Sequence, residues 1–331
     1  MMQEVLFFMV QYDVEAFMAA CERKGLAAKT MGSYEQTLRL FGQFLSVREI
    51  ERTEEVKRVH IESYIDYLQK RGKYTVCAID APANSNNPEN RSDYAKQISP
   101  TTINNYMRNM KVFFNWCVEQ ELIYKNPMEK VKYMKVKRKP LEFVSDADFK
   151  RLLGCMDISK FSEYRDSVIM QTLLDTGMRC GEFLQVLASC VDLQRNCISL
   201  PADITKGKKG RYVFFSVRTS KVLRRWLQYK DRYRDSEYLF CTNEGKPLQV
   251  SNFEANIRKY AQRIGLKEIH PHCFRNNFAK RFLMNGGDIY TLSRILGHSS
   301  VKVTEQAYLD VTEDDLHSLY QRYSPLENMQ L

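Results

Sequence analysis

The sequence predicts a mainly α protein of two domains. One is an N-terminal helical bundle over residues 1–133, and the other is a mixed α/β, mostly helical domain over 141–331 with a small β-sheet. Three observations predict this organisation. Apolar residues recur at three- and four-residue steps through most of the chain. Short runs rich in β-branched and aromatic residues lie close together around 190–216. A lysine-rich linker at 134–140 separates the two helical regions and ends in proline, which cannot continue a helix.

The composition indicates a folded protein with a polyanionic partner. Of the 331 residues, 44% are hydrophobic and 12% are aromatic, which is enough to build packed cores. The formal net charge of +10 favours a nucleic acid, although a generally basic protein would carry the same charge. No segment approaches the apolar length of a membrane span. Nine scattered cysteines without a C-x-x-C pair predict reduced thiols in a cytoplasmic protein.

Three helices are predicted at the start of the chain, over 11–22, 29–45 and 61–72. The second has the clearest apolar stripe, formed by Met31, Tyr34, Leu38, Phe41 and Leu45, with Lys29, Ser33, Gln36 and Arg39 on the opposite side. Residues 75–98 then interrupt the helical pattern. The stretch APANSNNPENRSDY is rich in Asn, Ser and Pro, which predicts a long exposed loop. The alternative is a flap that contacts DNA or a partner, because long loops in compact domains are often functional.

A fourth helix is predicted from Ser99, which can cap it, with Pro100 in its first turn. The predicted buried stripe is Ile103, Tyr106, Met110, Phe113 and Cys117, and the predicted opposite side is Asn104, Asn105, Arg108, Lys111 and Asn115. A face of Asn and Arg can enter a major groove, where Asn suits adenine and Arg suits guanine. An ordinary solvated face is the alternative.

The linker is a second candidate for DNA contact, because Lys135, Lys137, Arg138 and Lys139 crowd it. Such residues can neutralise phosphates, although a solvated charge run has the same composition.

The second domain begins near Leu141 with a capped helix in SDADFKRLLGCM. Helical pattern then leads into TGMRCGE and is predicted to continue after Glu182 to Val186. Strands are predicted in CVDLQ, NCISLPADI and RYVFFS, the last two joined by TKGKKG. The remainder is predicted helical, with helices over 219–234 and 251–264 and a final helix in VTEDDLHSLYQRY.

The stretch 270–308 carries chemistry that points to phosphoryl transfer. His272 and Arg275 are three residues apart, so they share one helical face and can converge on an anion. Arg binds phosphate through a planar fork of donors, and His can move a proton near neutral pH. His298 follows Leu-Gly, and Tyr308 adds a hydroxyl that can act as a covalent nucleophile.

These motifs resemble those of the tyrosine site-specific recombinases, the family of phage and transposon integrases and Xer-like proteins. H-x-x-R, L-G-H and a Tyr about ten residues later look like the family's C-terminal signature. TGMRCGE around Arg179 resembles its first arginine box, and ITKGKKGRYVFF resembles its β-hairpin lysine motif. The motifs occur in the family's order over nearly the whole chain.

The resemblance implies a SAM-like, core-binding N-terminal bundle and a catalytic domain that together clamp double-stranded DNA. It implies a homotetramer on paired DNA sites, allows for a directionality factor, and needs no cofactor, metal or ATP. The implied catalytic set is Arg179, Lys206, His272, Arg275, His298 and Tyr308, with Lys206 protonating the leaving 5′-oxygen. The candidate DNA contacts are Lys29, Ser33, Thr101, Asn104, Asn105, Arg108, Lys111 and the four linker residues. The expected role is integration or excision of a mobile element.

Several alternatives stand beside this interpretation. Arg179 could form a structural salt bridge to Glu182, and His270, His272 and Cys273 could bind a metal. His298 and Tyr308 are one residue further apart than in the commonest family spacing. The final helix could pack in its own domain or on a neighbouring protomer. Rival functions are Xer-type dimer resolution, type IB topoisomerase activity and DNA binding without catalysis.

Overall fold

The computed structural model describes residues 9–76, 89, 91–136, 143–205, 207–266, 269–298, 300–308, 317, 320 and 321. The chain divides into two compact units, Met1–Arg138 and Lys139–Leu331. Each unit has its own hydrophobic core. The predicted fold class, mainly α with one small sheet, is confirmed.

The N-terminal unit is a helical bundle built from the four predicted helices. They are α1 Met9–Arg23, α2 Ala28–Ser46, α3 Arg58–Lys70 and α4 Pro100–Glu119. Their apolar stripes meet in a core rich in aromatic rings. Phe17 packs edge-on against Phe113 with 5.5 Å between ring centroids, and Phe41 lies 5.0 Å from Tyr64. Such pairs stabilise a core beyond the area that they bury.

Helix α4 begins as predicted, but one residue of its predicted polar face is buried. Ser99 Oγ accepts a hydrogen bond from the Thr102 N–H, and Pro100 occupies the first turn. The prediction that Asn104 lies on the exposed side is wrong, because Asn104 is 6% exposed. Its side chain donates to Met134 O and accepts from Met134 N–H, both at 2.9 Å. Met134 lies in a segment without regular secondary structure. Its backbone N–H and carbonyl therefore need side-chain partners where this segment packs against α4, and Asn104 supplies both.

The ends of the predicted loop at 75–98 are held together, while 77–88 and 90 lie outside the described residues. Gly72 and Gln97 form an antiparallel bridge, and Lys73 pairs with Asp93 at 3.3 Å. Of the predicted linker, only 134–136 are described, so Lys137, Arg138 and Lys139 lie outside the described residues as well.

The second unit surrounds a three-stranded antiparallel sheet. Its elements are α5 Asp146–Gly154, α6 Phe161–Thr176, α7 Cys180–Phe183, β1 Val191–Asp192, β2 Cys197–Leu200, β3 Arg211–Phe214, α8 Val217–Tyr233, α9 Val250–Arg263, α10 Pro271–Met284, α11 Ile289–Leu296 and α12 Val301–Tyr308. The strand order is β1-β2-β3, with Ile198 opposite Val213 on the buried face. Of the predicted final helix, residues 317, 320 and 321 are described and helical.

One predicted helix in this unit is too long. The helical continuation from Glu182 to Val186 is wrong, because α7 ends at Phe183. The Val186 carbonyl accepts from the Leu239 N–H at 2.8 Å, and Leu187 forms a bridge to Tyr238. These extended pairings take the backbone groups that a longer helix would need.

The central helix α6 carries a buried polar network. Asp166, fully buried, accepts from Arg165 Nε, from Asn256 Nδ2 at 2.8 Å and from Tyr260 Oη at 2.9 Å. A buried carboxylate is stable only when donors satisfy its oxygens, so this network ties α6 to α9.

Gly177 ends α6 and sets the position of the site. It has φ +63°, a left-handed conformation that glycine adopts at little cost. Phe278 of α10 and Leu296 of α11 occupy the space where a β carbon would lie. The end of α6 therefore packs directly between α10 and α11.

The eight cysteines in the described part of the chain are free thiols. Within the described residues, no helix has both the length and the apolar character that a membrane crossing requires.

Candidate active site

Three segments of the second unit bring predicted site residues together at the end of α6. Arg179 comes from the turn between α6 and α7, Arg275 from the first half of α10, and His298 from the residue after Gly297, which ends α11. Hydrogen bonds join the side chains of Arg179 and Arg275 to the segment that ends at His298.

Arg275 is 2% exposed, and its guanidinium is fixed by three hydrogen bonds. Nη1 donates to Gly177 O at 2.6 Å, and Nη2 donates to Leu296 O at 2.9 Å and to His298 Nε2 at 2.8 Å. A buried charge is costly unless it is hydrogen-bonded, and these acceptors meet that need. These three acceptors are neutral, so they do not offset the positive charge of Arg275.

Glu182 connects two further arginines. Its Oε1 accepts from Arg179 Nη1 at 3.0 Å, and its Oε2 accepts from Arg211 Nη2 at 2.6 Å. Arg179 Nη2 also donates to Gly297 O at 3.4 Å. The salt bridge foreseen between Arg179 and Glu182 is therefore present, and it orients the guanidinium. The Arg179 side chain remains 28% exposed, so a ligand can reach it.

The contacts of His298 define which nitrogen carries its proton. Its backbone N–H closes α11 by donating to Ser293 O at 3.0 Å, since Gly297 takes φ +64°. Nε2 must accept from Arg275, because a guanidinium can only donate. Nδ1 then carries the proton and donates to Thr304 Oγ1 at 2.7 Å. Burial, with Arg275 and Arg179 nearby, lowers the pKa of His298 to about 4, so the ring is neutral at pH 7.

His272 lies in the first turn of α10, one turn before Arg275. His272 is exposed to solvent, yet the surrounding protein removes enough water to lower its pKa. The positive charges of Arg275 and Arg179 lower the pKa further. A neutral imidazole can accept a proton, and an anion bound beside these arginines would raise the pKa again.

The charges at the site favour an anion. Among the residues that the structure describes there, three guanidinium groups and one carboxylate, from Arg179, Arg211, Arg275 and Glu182, leave a net of two positive charges. His298 adds none at neutral pH. The arrangement can therefore bind a phosphate and stabilise the extra negative charge that develops during its transfer.

Two predicted catalytic groups, Lys206 and the side chain of Tyr308, lie outside the described residues. The backbone places Tyr308 at the last position of α12, four residues after Thr304. In the β2–β3 connection, Thr205 Oγ1 donates to Lys209 O at 3.0 Å and accepts from the Lys209 N–H at 3.1 Å. These two hydrogen bonds therefore join Thr205 to Lys209.

The DNA-contact candidates fall into three groups. Lys29, Ser33, Thr101, Asn105, Arg108 and Lys135 are exposed, Lys111 is half-buried, and Asn104 is buried. Arg108 Nη1 donates to Asn105 Oδ1 at 2.8 Å, so these two side chains form one polar surface on α4. Across the described ranges, no three His, Cys, Asp or Glu side chains are placed to hold a metal ion.

Two contacts at the site are not predicted from the motifs. Thr304 contacts His298 across six residues of sequence, a spacing that no helical or strand period predicts. Arg211 belongs to the hairpin motif ITKGKKGRYVFF, but nothing in that motif predicts its ion pair with Glu182.

Two family models match the chain. The model described as the phage integrase family matches residues 142–315, more than half of the chain. The model described as the phage integrase SAM-like domain matches residues 14–134.

Similar proteins extend over nearly the whole chain. The tyrosine recombinase XerC of Thermodesulfovibrio yellowstonii is 26% identical over 92% of this chain and 93% of its own length. The tyrosine recombinase XerD of Listeria innocua is 24% identical over 91% of this chain and 94% of its own length.

Solved structures share the fold. A Tn1549 transposon integrase in complex with a circular intermediate DNA has a TM-score of 0.72 at 17% identity, covering 95% of this chain and 99% of that chain. A XerH site-specific recombinase bound to palindromic difH substrate has a TM-score of 0.67 at 17% identity, covering 90% and 81%.

Proposed function

Because the chain belongs to the phage integrase family of tyrosine recombinases, we propose that it cuts and rejoins double-stranded DNA at specific sites through a 3′-phosphotyrosyl link to Tyr308. The observation that carries this proposal is the contact of buried Arg275 with His298, beside the oriented guanidinium of Arg179. These groups surround a site whose net positive charge suits a phosphodiester approaching its transition state.

The proposed reaction conserves bonds and protons. Tyr308 Oη attacks the phosphorus, the bond to the 5′-oxygen breaks, and the strand leaves as a 5′-hydroxyl. His272 takes the tyrosine proton, and Lys206 protonates the departing oxygen. The 5′-hydroxyl of a partner strand then attacks the phosphotyrosine and gives its proton to Lys206, while the departing Tyr308 oxygen takes its proton back from His272. Ester is exchanged for ester, so the cycle needs no ATP.

His298 contributes through a change of protonation. In the free protein its Nε2 accepts from Arg275 and cannot donate. A phosphate between Arg275 and Arg179 would offset their charges and raise the pKa of His298. The protonated ring then donates through Nε2 to a non-bridging oxygen, while Nδ1 remains bonded to Thr304.

We place the DNA-contacting surface of the N-terminal unit on α2 and α4. Exposed Lys29, Thr101, Asn105 and Arg108 support this assignment, and Lys135 begins the basic linker. Asn104 is left out of the base-contacting set, because Met134 occupies both atoms of its amide.

The biological role proposed is integration and excision of a mobile element by a homotetramer on paired sites, with a directionality factor. The likeness of fold to a transposon integrase over 95% of this chain supports that role. Xer-type dimer resolution is the second candidate, because the relatives named XerC and XerD match over nine-tenths of the chain.

Mapping of covalent adducts on host genomic DNA tests the proposal. The protein is incubated with fragments of this genomic DNA, and the reaction is stopped with detergent. The DNA ends that are linked to protein are then sequenced. We expect adducts at a few sites that share inverted sequence arms. Sites flanking a mobile element support integration, and a single chromosomal locus supports resolution. Evenly scattered adducts with plasmid relaxation indicate a topoisomerase, and binding without adducts contradicts the enzymatic proposal.

A further inference from the structure

Arg211 lies at the site but has no role in the proposed reaction. It is the first residue of β3, directly after the hairpin that carries Lys206. Its Nη2 donates to Glu182 Oε2 at 2.6 Å, while Arg179 uses the other carboxylate oxygen at 3.0 Å. Glu182 is 4% exposed, so water screens its charge little, and these two arginines lie directly against it.

The guanidinium of Arg211 is also seated against the backbone before His298. A β carbon added to Gly297 would lie 3.0 Å from Arg211 Nε and 3.1 Å from its Cζ. Gly297 thus leaves the room in which this side chain lies. The side chain is 16% exposed, and its Nε is buried without a hydrogen-bond partner in the described structure. The position of Arg211 is therefore set by packing and by one strong ion pair.

The charges explain what this ion pair does. Without Arg211, the buried carboxylate of Glu182 would lose the shorter of its two described ion pairs and would keep the one to Arg179. Its negative charge would cancel most of the positive charge that Arg179 offers to a phosphate. With Arg211 present, the carboxylate is neutralised from the other side and still orients Arg179.

We infer that Arg211 is a positioning residue of the recombination site that neutralises Glu182, so that Arg179 keeps its charge for the scissile phosphate. The inference rests on the proposed function. It assigns Arg211 no contact with DNA. Glu182 is then an ionised carboxylate that orients Arg179 while Arg211 offsets its charge.

The experiment compares Arg211→Met, Glu182→Gln and the double variant of the full-length protein. Single-turnover cleavage is measured on a nicked substrate built from a mapped site, and DNA affinity is measured in parallel. Arg195→Met, which removes an exposed arginine from the same unit, is the control for loss of one charge. Emission of buried Trp226, recorded in a Trp116→Phe background, verifies that the second unit of each variant is folded.

Arg211→Met should cleave DNA about 100-fold more slowly than the wild type, because the charge of Glu182 is then no longer offset. Loss of one transition-state contact has an effect of about that size. Its DNA affinity should match that of the Arg195→Met control. Glu182→Gln should lose less than about tenfold, because the amide oxygen still accepts from Arg179. The double variant should cleave faster than Arg211→Met, and Arg211→Lys should recover most of the rate.

A purely structural ion pair predicts the opposite pattern. Arg211→Met would then lower the melting temperature of the second unit, and its cleavage rate per folded molecule would match that of Arg195→Met. That pattern, or full activity of Arg211→Met, overturns the inference. If wild-type protein forms no adduct at all, the proposed function fails instead, so the two failures are distinguishable.

Discussion

Substitution of Gly177 by alanine should destabilise the second unit and displace Arg275. Gly177 has φ +63°, and its carbonyl accepts from Arg275 Nη1. A β carbon there would overlap Phe278 Cδ1 and lie 2.9 Å from Leu296 Cδ2. The substitution therefore strains the backbone and overpacks the junction of three helices.

The two costs can be estimated separately. A left-handed conformation costs a residue with a β carbon about 1–2 kcal/mol. Overpacking a dense core costs about 1–3 kcal/mol more, so the total is about 2–5 kcal/mol. Gly265 provides a matched control, because it has φ +71° with no atom within 4 Å of the added carbon. Gly265→Ala should show the backbone cost alone.

Urea unfolding monitored by one tryptophan measures both effects. The chain has two tryptophans, Trp116 in the first core and Trp226 in the second, so a Trp116→Phe background isolates the second unit. Gly177→Ala should lower the free energy of unfolding by about 1–3 kcal/mol more than Gly265→Ala does. It should also slow DNA cleavage, since Arg275 loses its carbonyl partner. If the two variants are equally stable, the packing argument is refuted.

Three further predictions concern the site. Arg179→Lys should lose about 100-fold or more in cleavage rate, because an ammonium cannot make the planar double contact; near wild-type cleavage would make Arg179 structural. Lys206→Ala should cleave an ordinary phosphodiester about 10²–10⁴-fold more slowly, yet cleave a 5′-thio substrate almost normally, since sulfur leaves without a proton. Rescue of Lys208→Ala instead would move the assignment by two residues. Stability should fall as pH is lowered from 6.5 towards about 4, because the unfolded chain protonates His298 before the folded protein does. His272 acts in the same direction. A fall of equal size in His298→Gln would mean that folding does not lower the pKa of His298.

Local physical rules explain why most elements could be predicted from the sequence. Helix α4 has a Ser cap, Pro100 in its first turn and a regular apolar stripe, so its start followed directly. The strands around 190–216 are short, but their β-branched and aromatic residues and the glycine-rich turn mark them.

The errors and omissions arise where distant segments meet. Asn104 falls among polar neighbours on α4, and only the approach of Met134 explains its burial. Val186 is apolar and continues a helical period, but its carbonyl pairs with Leu239. The contacts of Thr304 with His298, and of Arg211 with Glu182, depend on how α11, α12 and β3 pack. No sequence period encodes such contacts.

The central claim is that Tyr308 becomes joined to DNA. The most direct measurement is mass spectrometry of peptides from a trapped adduct after nuclease digestion. We predict a 3′-linked nucleotide on the peptide that contains Tyr308, no adduct from Tyr308→Phe with DNA binding retained, and a normal adduct from the exposed control Tyr290→Phe. A nucleotide on any other residue, or an undiminished adduct from Tyr308→Phe, would contradict the claim.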